Sequence, residues 1–275
     1  MIPDAAAKPR ILVTNDDGID SPGLRVLARR LAERFEVVVA APDADMSGSG
    51  TGIGRIGPDG VELQTVEMDG MEAYAIAGPP GLAVMANALG AFGRQADLVV
   101  SGINAGVNTG HSVIHSGTVG AALTARTFGA RGLAVSLTPS DPWHWDTAAA
   151  VALDIAAWML ANDDAPTVLN VNVPAVPLSG IAGVSWAGLD DFGHFRVAST
   201  DESGGRVVFD VEAGDSAPRP DSDSALCRAR HVTLTPLSTV EPGPVPGIPG
   251  AELCPSVGRQ AEVSPAAARS APRRD

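Results

Sequence analysis

Lysine is almost missing from this chain: the single one is Lys8, and every other basic side chain is arginine. Arginine stays protonated, so it cannot act as a titrating base or Schiff-base former near neutral pH. Cysteine is nearly as scarce. Cys227 and Cys254 form no C-x-x-C pair, so no structural disulfide is expected and a reducing cytoplasm is the expected compartment. Positive charge as a whole is short. With 32 acidic against 19 basic residues the formal net charge is −13, which argues against nucleic acid polymers and membranes as partners, since both favour basic surfaces. A small anionic ligand is not disfavoured, because a metal ion or a helix end can hold it locally. Long apolar runs are absent too. The most apolar helical segment, 147–161, carries Asp154 and is too short to span a bilayer. The opening "MIPDAAAKPR" has no apolar core of a secretory signal.

What is present is an alternation of strands and helices. The run 10–14 reads as a buried strand. It is followed by a helix over 22–34 with Pro22 in its first turn and Leu24, Leu27, Ala28 and Leu31 at helical spacing. "EVVVAAP", 36–42, is a continuous β-branched and apolar run of the kind buried on both faces of a sheet. Strand, helix and strand in so short a span make a βαβ unit. A Gly- and Ser-rich loop or hairpin over 43–60 and short strands within 61–76 come next. The expected elements continue as a helix over 80–93, a strand over 97–102, a helix over 116–129, a strand over 132–137, a helix over 146–161 and a strand over 167–174. The expected fold class is therefore α/β: a Rossmann-like, doubly wound, mainly parallel sheet in three layers over residues 10–180, after a lead at 1–9. Residues 181–239 carry short alternating runs such as "RVVFDVE" and "HVTLTPL", expected to form a β-rich, antiparallel extension. The Pro/Ala-rich stretch 240–275 reads as a disordered tail.

In an open parallel sheet, ligands bind beyond the carboxyl ends of the strands. The first strand delivers Asn15, Asp16, Asp17 and Gly18 there, and the second delivers Asp43 and then Ser47. "VVSGINAGVNTG" delivers Ser101, Asn104 and Asn108 with glycines between them, and Ser116 is placed as N-cap of the helix that follows. Two adjacent carboxylates repel one another unless something positive lies between them. An all-oxygen set of carboxylates, hydroxyl and amide carbonyl suits a hard cation such as Mg²⁺, Mn²⁺ or Ca²⁺, and not zinc. The N–H groups at the start of the 116–129 helix suit a phosphate. A hard cation beside a phosphate cradle equips a site for metal-assisted phosphoester hydrolysis, polarising a phosphoryl oxygen and lowering the pKa of the attacking water. Taken singly, each piece also reads as a turn, a loop or a cap.

"ILVTNDDGIDSPGL", "VVVAAPDADMSG", "DLVVSGINAGVNTG" and "HSGTVGAALTA", in this order and spacing, resemble the SurE (survival protein E) family of 5′/3′-nucleotidases. "LNVNVP" and "HVTLTPL" agree with it, so the resemblance spans roughly residues 10–237. It implies a metal-dependent phosphatase of nucleoside monophosphates with a Rossmann-like domain and a C-terminal extension that exchanges between subunits of a homodimer or homotetramer. Carried over by motif, one divalent cation per subunit would be held by Asp16, Asp17, Ser47 and Asn104. Asn108, Ser116, Gly117 and Thr118 would line the phosphate side. Asp16, Asp17 and Asn108 are then the candidate catalytic residues, with Asp16 the candidate general base. The chain departs from the family pattern at four places, one of them the late "RHVTLTPL" where the family has "GYVSITPL". Pro79-Pro80-Gly81 stands where the family has a "GTPxD" turn, Met46 replaces a basic residue before Ser47, and His115 replaces a tyrosine. These departures bear on the nucleoside, whereas the metal ligands are intact.

Other phosphate proteins with acidic residues after a first strand fit less well. A response-regulator receiver needs a lysine after a later strand, and a haloacid-dehalogenase-like phosphatase needs D-x-D. A P-loop NTPase needs G-K-[ST], and a dinucleotide-binding fold needs G-x-G-x-x-G. None of these is present at the required place. Two readings stay open beside the nucleotidase: a non-catalytic metal- and nucleotide-binding subunit, and a phosphatase for a non-nucleotide phosphoester.

Overall fold

The structure is a computed structural model, and it describes residues 8–191, 195–203, 206–213 and 218–238. The elements in chain order are β1 (Arg10–Thr14), α1 (Pro22–Ala32), β2 (Glu36–Pro42), β3 (Leu63–Met68), β4 (Met71–Ile76), α2 (Pro80–Ala88), β5 (Leu98–Ala105), α3 (Gly117–Thr127), β6 (Arg131–Leu137), α4 (Trp145–Ala161), β7 (Val168–Val173), β8 (Gly183–Trp186), β9 (Phe195–Ser203), β10 (Arg206–Ala213), α5 (Asp223–Arg228) and β11 (His231–Pro236). A 3₁₀ segment, Gly110–His115, leads into α3.

Nine strands form one sheet in the order β3-β4-β2-β1-β5-β6-β7-β11-β8. The strands β4, β2, β1, β5, β6 and β7 run parallel. Side-chain alternation along β1 shows the three layers. Ile11 and Val13 pack with Leu24, Leu27 and Leu31 of α1 and Ala152 and Met159 of α4. Leu12 faces the other way, against Leu82 and Val84 of α2 and Ala121 and Ala125 of α3. Strands covered on both faces have no polar side to spare, which is why these segments read as continuous apolar runs. The chain passes from β1 to β2 on one side and later to β5 on the other. The topological switch point therefore lies at the carboxyl ends of β1 and β5.

Three expectations need correction. Helix α2 ends at Ala88 instead of running to 93, because Gly90 takes the left-handed conformation with φ 86° and the N–H of Ala91 closes back onto the carbonyl of Ala86 at 3.0 Å. Strand β5 does not end at Gly102 but runs to Ala105 through an irregularity in its pairing with β6: Ser101 pairs with Ala134 and Asn104 with Ser136. Two residues thus stand opposite one, a bulge that re-aims the end of the strand. Finally, β8 and β11 are not part of a separate extension. β11 lies antiparallel to β7 and parallel to β8, inside the main sheet. Its partner β7 lies far back in the chain, so local alternation carried no sign of the pairing. The antiparallel ribbon expected beyond residue 181 is β9 paired with β10, a two-stranded sheet of its own. The stretch 240–275 lies outside the described residues. Among the described residues no helix is long and apolar enough to cross a membrane.

Candidate active site

The turn after β1 and the end of β5 meet at the switch point. A cleft of about 270 Å³ opens there, lined by Asp16, Ser47, Gly48, Asn104, Val107, Asn108, Ser112, His115 and Ser116. Three of the four residues read as metal ligands, Asp16, Ser47 and Asn104, line this cleft, and Asp17 does not. Asp16 is buried at 4% exposure, and Asp17 follows it with its Oδ2 atom buried and without a hydrogen-bond partner. Asn104 donates its amide to the carbonyl of Gly106 at 2.8 Å. That bond fixes which end of the amide is turned the other way: the oxygen, Oδ1. The Ser47 hydroxyl donates to Asp45 Oδ1 at 2.6 Å, so its proton is committed and its lone pairs remain free to ligate.

The first turn of α3 closes the corner from behind. The Thr118 hydroxyl donates to Asp16 Oδ1, and Asn104 Oδ1 lies 3.2 Å from the same hydroxyl. One proton cannot serve both acceptors. The result is a cluster of oxygens with too few protons. Electrostatics agree. Burial raises the pKa of Asp16, and only the Thr118 hydroxyl and backbone N–H groups, including those of Gly117 and Thr118, pull it back. Asp17 is pushed up to about 6 by burial and then by the negative charges of Asp16 and Asp45. A divalent cation between these oxygens would reverse both shifts. The donor set is entirely hard oxygen, so the residues fit such an ion. Among the described residues there is no group of three or more His, Cys, Asp or Glu that could hold a metal ion, so a cation here would need the amide and hydroxyl oxygens as well.

Two of the expected phosphate-side residues are placed otherwise. Gly117 and Thr118 do not line the cleft; their N–H groups and the Thr118 hydroxyl are turned onto Asp16. The helix end already has its anion, a carboxylate of the chain itself. Gly117 is required for this approach, since a Cβ there would lie 2.7 Å from Asp16 Cβ and 2.6 Å from Ser49 Oγ. Ser116 caps the helix by accepting the Val119 N–H at 3.1 Å and also reaches the cleft, as does Asn108.

Asn108 is held by residues that had no assigned role in the sequence. Its N–H donates to Asn172 Oδ1 at 2.8 Å. Its carbonyl accepts from Asn170 Nδ2 and Asn172 Nδ2, each at 2.8 Å, and its side chain donates to Ser136 Oγ at 2.8 Å. A signal was present: Asn170 and Asn172 alternate with apolar residues in β7, a strand whose every position is buried. Buried amides in such a strand must be satisfied by something nearby. Asp223 is a second support. Wholly buried, it accepts the N–H groups of Gly110 at 2.9 Å and Asp190 at 3.0 Å. It thereby ties the segment before α3 to the C-terminal part of the chain.

Residues 11–192 match the family described as Survival protein SurE. The chain belongs to the SurE family. It is 37% identical over 235 residues to a protein of Stenotrophomonas maltophilia (strain K279a) named 5′-nucleotidase SurE, an overlap of 83% of this chain and 89% of that one. A protein of the same name from Nitrosococcus oceani is also 37% identical over 235 residues, with 83% of this chain and 90% of the other covered. Among solved structures, the SurE protein from Aquifex aeolicus superposes with a TM-score of 0.72 at 25% identity, covering 92% of this chain and 100% of that one. The α/β fold described above is thus shared with a SurE protein.

Proposed function

We propose that this protein is a divalent-metal-dependent phosphomonoesterase that hydrolyses nucleoside monophosphates. The observation that carries the reading is the proton-poor oxygen cluster at the switch point: Asp17 Oδ2 buried without a partner beside Asp16, and one Thr118 proton facing two acceptors. Asp16, Asp17, Ser47 and Asn104 would hold the cation. When bound, it would supply charge stabilisation for the phosphoryl oxygens and acidify the attacking water. The relatives named 5′-nucleotidase SurE support the substrate class.

The chain's own residues divide the remaining work. Thr118 and the N–H groups of Gly117 and Thr118 fix the Asp16 carboxylate, leaving it to accept the proton of the attacking water. Asn108, Ser112, His115 and Ser116, which line the same cleft, would orient the phosphate. We further propose a cytoplasmic homodimer or homotetramer assembled through the region 181–239. The β9–β10 ribbon supports this, because a two-stranded sheet is marginal by itself and gains from packing against another chain.

The test is phosphate release from nucleoside monophosphates and p-nitrophenyl phosphate with Mn²⁺ or Mg²⁺, with EDTA and Asp16→Ala as controls. The expected result is EDTA-sensitive release that Asp16→Ala lowers by at least about a hundredfold. Full activity in Asp16→Ala would overturn the site. Tight metal and nucleotide binding without any release would instead favour a non-catalytic subunit.

A further inference from the structure

Attack of water on a phosphate ester moves two protons: one is taken from the water, and one is given to the leaving oxygen. Asp16 takes the first in the phosphomonoesterase reading above, and the second needs a donor. Among the described residues the cleft lining holds two titratable side chains, Asp16 and His115, and neither lysine nor arginine. The other polar groups there are spoken for. The Ser112 hydroxyl donates to the Thr109 carbonyl at 2.9 Å, and the Asn108 amide donates to Ser136 Oγ at 2.8 Å. His111, close in sequence, is not among the lining residues. His115 is exposed on a backbone tied down on both sides. Its carbonyl accepts the Gly50 N–H at 3.2 Å, and the N–H of the next residue, Ser116, donates to the Val113 carbonyl at 3.1 Å. A Cβ on Gly50 would lie 2.9 Å from the Ile114 carbonyl oxygen. The loop that carries Ser47 is therefore packed directly on the turn that carries His115.

We propose that His115 is a catalytic residue of this site, its imidazolium protonating the leaving oxygen of the phosphomonoester. The proposal rests on the phosphomonoesterase reading above. Histidine is the side chain whose charge changes nearest neutral pH, so it can hold a proton and release it within one turnover. The tyrosine of the family pattern, with an ordinary pKa of about 10, is a far weaker acid, so the exchange for histidine brings the role to this chain. The step balances with two side chains and water. The water oxygen bonds to phosphorus as one of its protons passes to the Asp16 carboxylate. The bond between phosphorus and the ester oxygen breaks, its electron pair stays on that oxygen, and the oxygen takes the His115 proton. An alcohol and inorganic phosphate leave. Exchange with solvent then removes the proton from Asp16 and restores the one on His115. A nucleoside hydroxyl is a poor leaving group as its alkoxide, which is where a proton donor contributes most.

The experiment compares esters that differ in how much their leaving oxygen needs a proton. Adenosine monophosphate, phenyl phosphate and p-nitrophenyl phosphate are hydrolysed with Mn²⁺ by the wild type, His115→Gln and His115→Gly. In His115→Gln the ratio of kcat/KM for adenosine monophosphate to that for p-nitrophenyl phosphate should fall about a hundredfold, the lower scale of a lost general acid. The ratio for phenyl over p-nitrophenyl phosphate should fall as well. These two esters have nearly the same shape, so a residue that only holds the phosphate or shapes the cleft would leave their ratio alone. Imidazole added to His115→Gly should restore part of the loss on adenosine monophosphate. Equal losses on all three esters, or ratios unchanged from the wild type, would overturn the acid role while leaving the phosphatase reading intact. If the wild type itself released no phosphate from any ester, the phosphatase reading would fail and the role of His115 with it.

Discussion

Asn172 grips the backbone of Asn108 at both ends: its Oδ1 accepts the Asn108 N–H and its Nδ2 donates to the Asn108 carbonyl, each at 2.8 Å. A strand side chain thus does for a loop residue what a neighbouring strand would do in a sheet. Replacing Asn172 with leucine leaves a buried N–H without its acceptor, a cost of about 1–3 kcal/mol. We expect thermal unfolding to shift accordingly. We also expect kcat to fall on the order of tenfold or more as Asn108 loses its position, with metal affinity little changed because the Asn172 side chain bonds to Asn108 and to none of the four ligands. A variant with normal kcat would show that Asn108 needs no such clamp.

The Asp16–Asp17 pair predicts a pH dependence with a definite sign. Asp17 titrates at about 6 in the folded metal-free protein against 3.8 for the ordinary group, and Asp16 is raised as well. The folded state therefore binds more protons than the unfolded state between these values, so stability falls as pH rises through that window. Metal-free protein should melt at a higher temperature at pH 5 than at pH 7. Adding Mg²⁺ or Mn²⁺ should raise the melting temperature more at pH 7 than at pH 5, because protons compete for the same oxygens. Thermal scans with EDTA and with metal at both pH values test this, and equal metal effects at the two pH values would contradict it.

Asp17→Asn separates the two roles of that carboxylate. The variant removes one of two like charges, and we expect the metal-free protein at pH 7 to be stabilised or unchanged. Metal affinity measured by calorimetry should fall at least about tenfold, as a charged ligand is lost. Destabilisation of the metal-free protein by Asp17→Asn would mean that the acidic pair serves the fold instead of an ion.

Gly117→Ala tests the packing of the helix end on the acidic turn. The added Cβ would meet Asp16 and Ser49 at distances no carbon tolerates, so either Asp16 or α3 must shift. Activity should drop by on the order of a hundredfold, with weaker metal binding, while α3 itself is not weakened, since alanine is the better helix former. Full activity would mean that Asp16 has freedom the structure does not show.

Much of the site was legible because its groups sit directly after strands. Asp16 and Asp17 follow the apolar run Ile11–Val13, and in a parallel sheet that position alone sends them to the ligand edge. Ser116 was readable as a cap from its place before an alanine-rich helix, and it caps. Thr118 was assigned to the phosphate side by the family resemblance, and only the fold brings Asp16, distant in sequence, against that helix end, where it accepts the Thr118 hydroxyl.

The sequence by itself determined the layers and the chemistry brought to the sheet edge. Apolar periodicity sets which segments become strands and helices, and the strand ends carry only oxygen ligands. Tertiary structure decided what those ligands face. The bulge at Gly102 turns the end of β5, and Gly102 permits it because a Cβ there would lie 2.3 Å from the Val135 carbonyl. It also decided that β11 joins β7, and that Asn170, Asn172 and Asp223 hold the loop around the cleft. These are contacts between residues far apart in the chain. Their specificity comes from satisfying buried polar groups, a condition that exists only once the chain has closed around them.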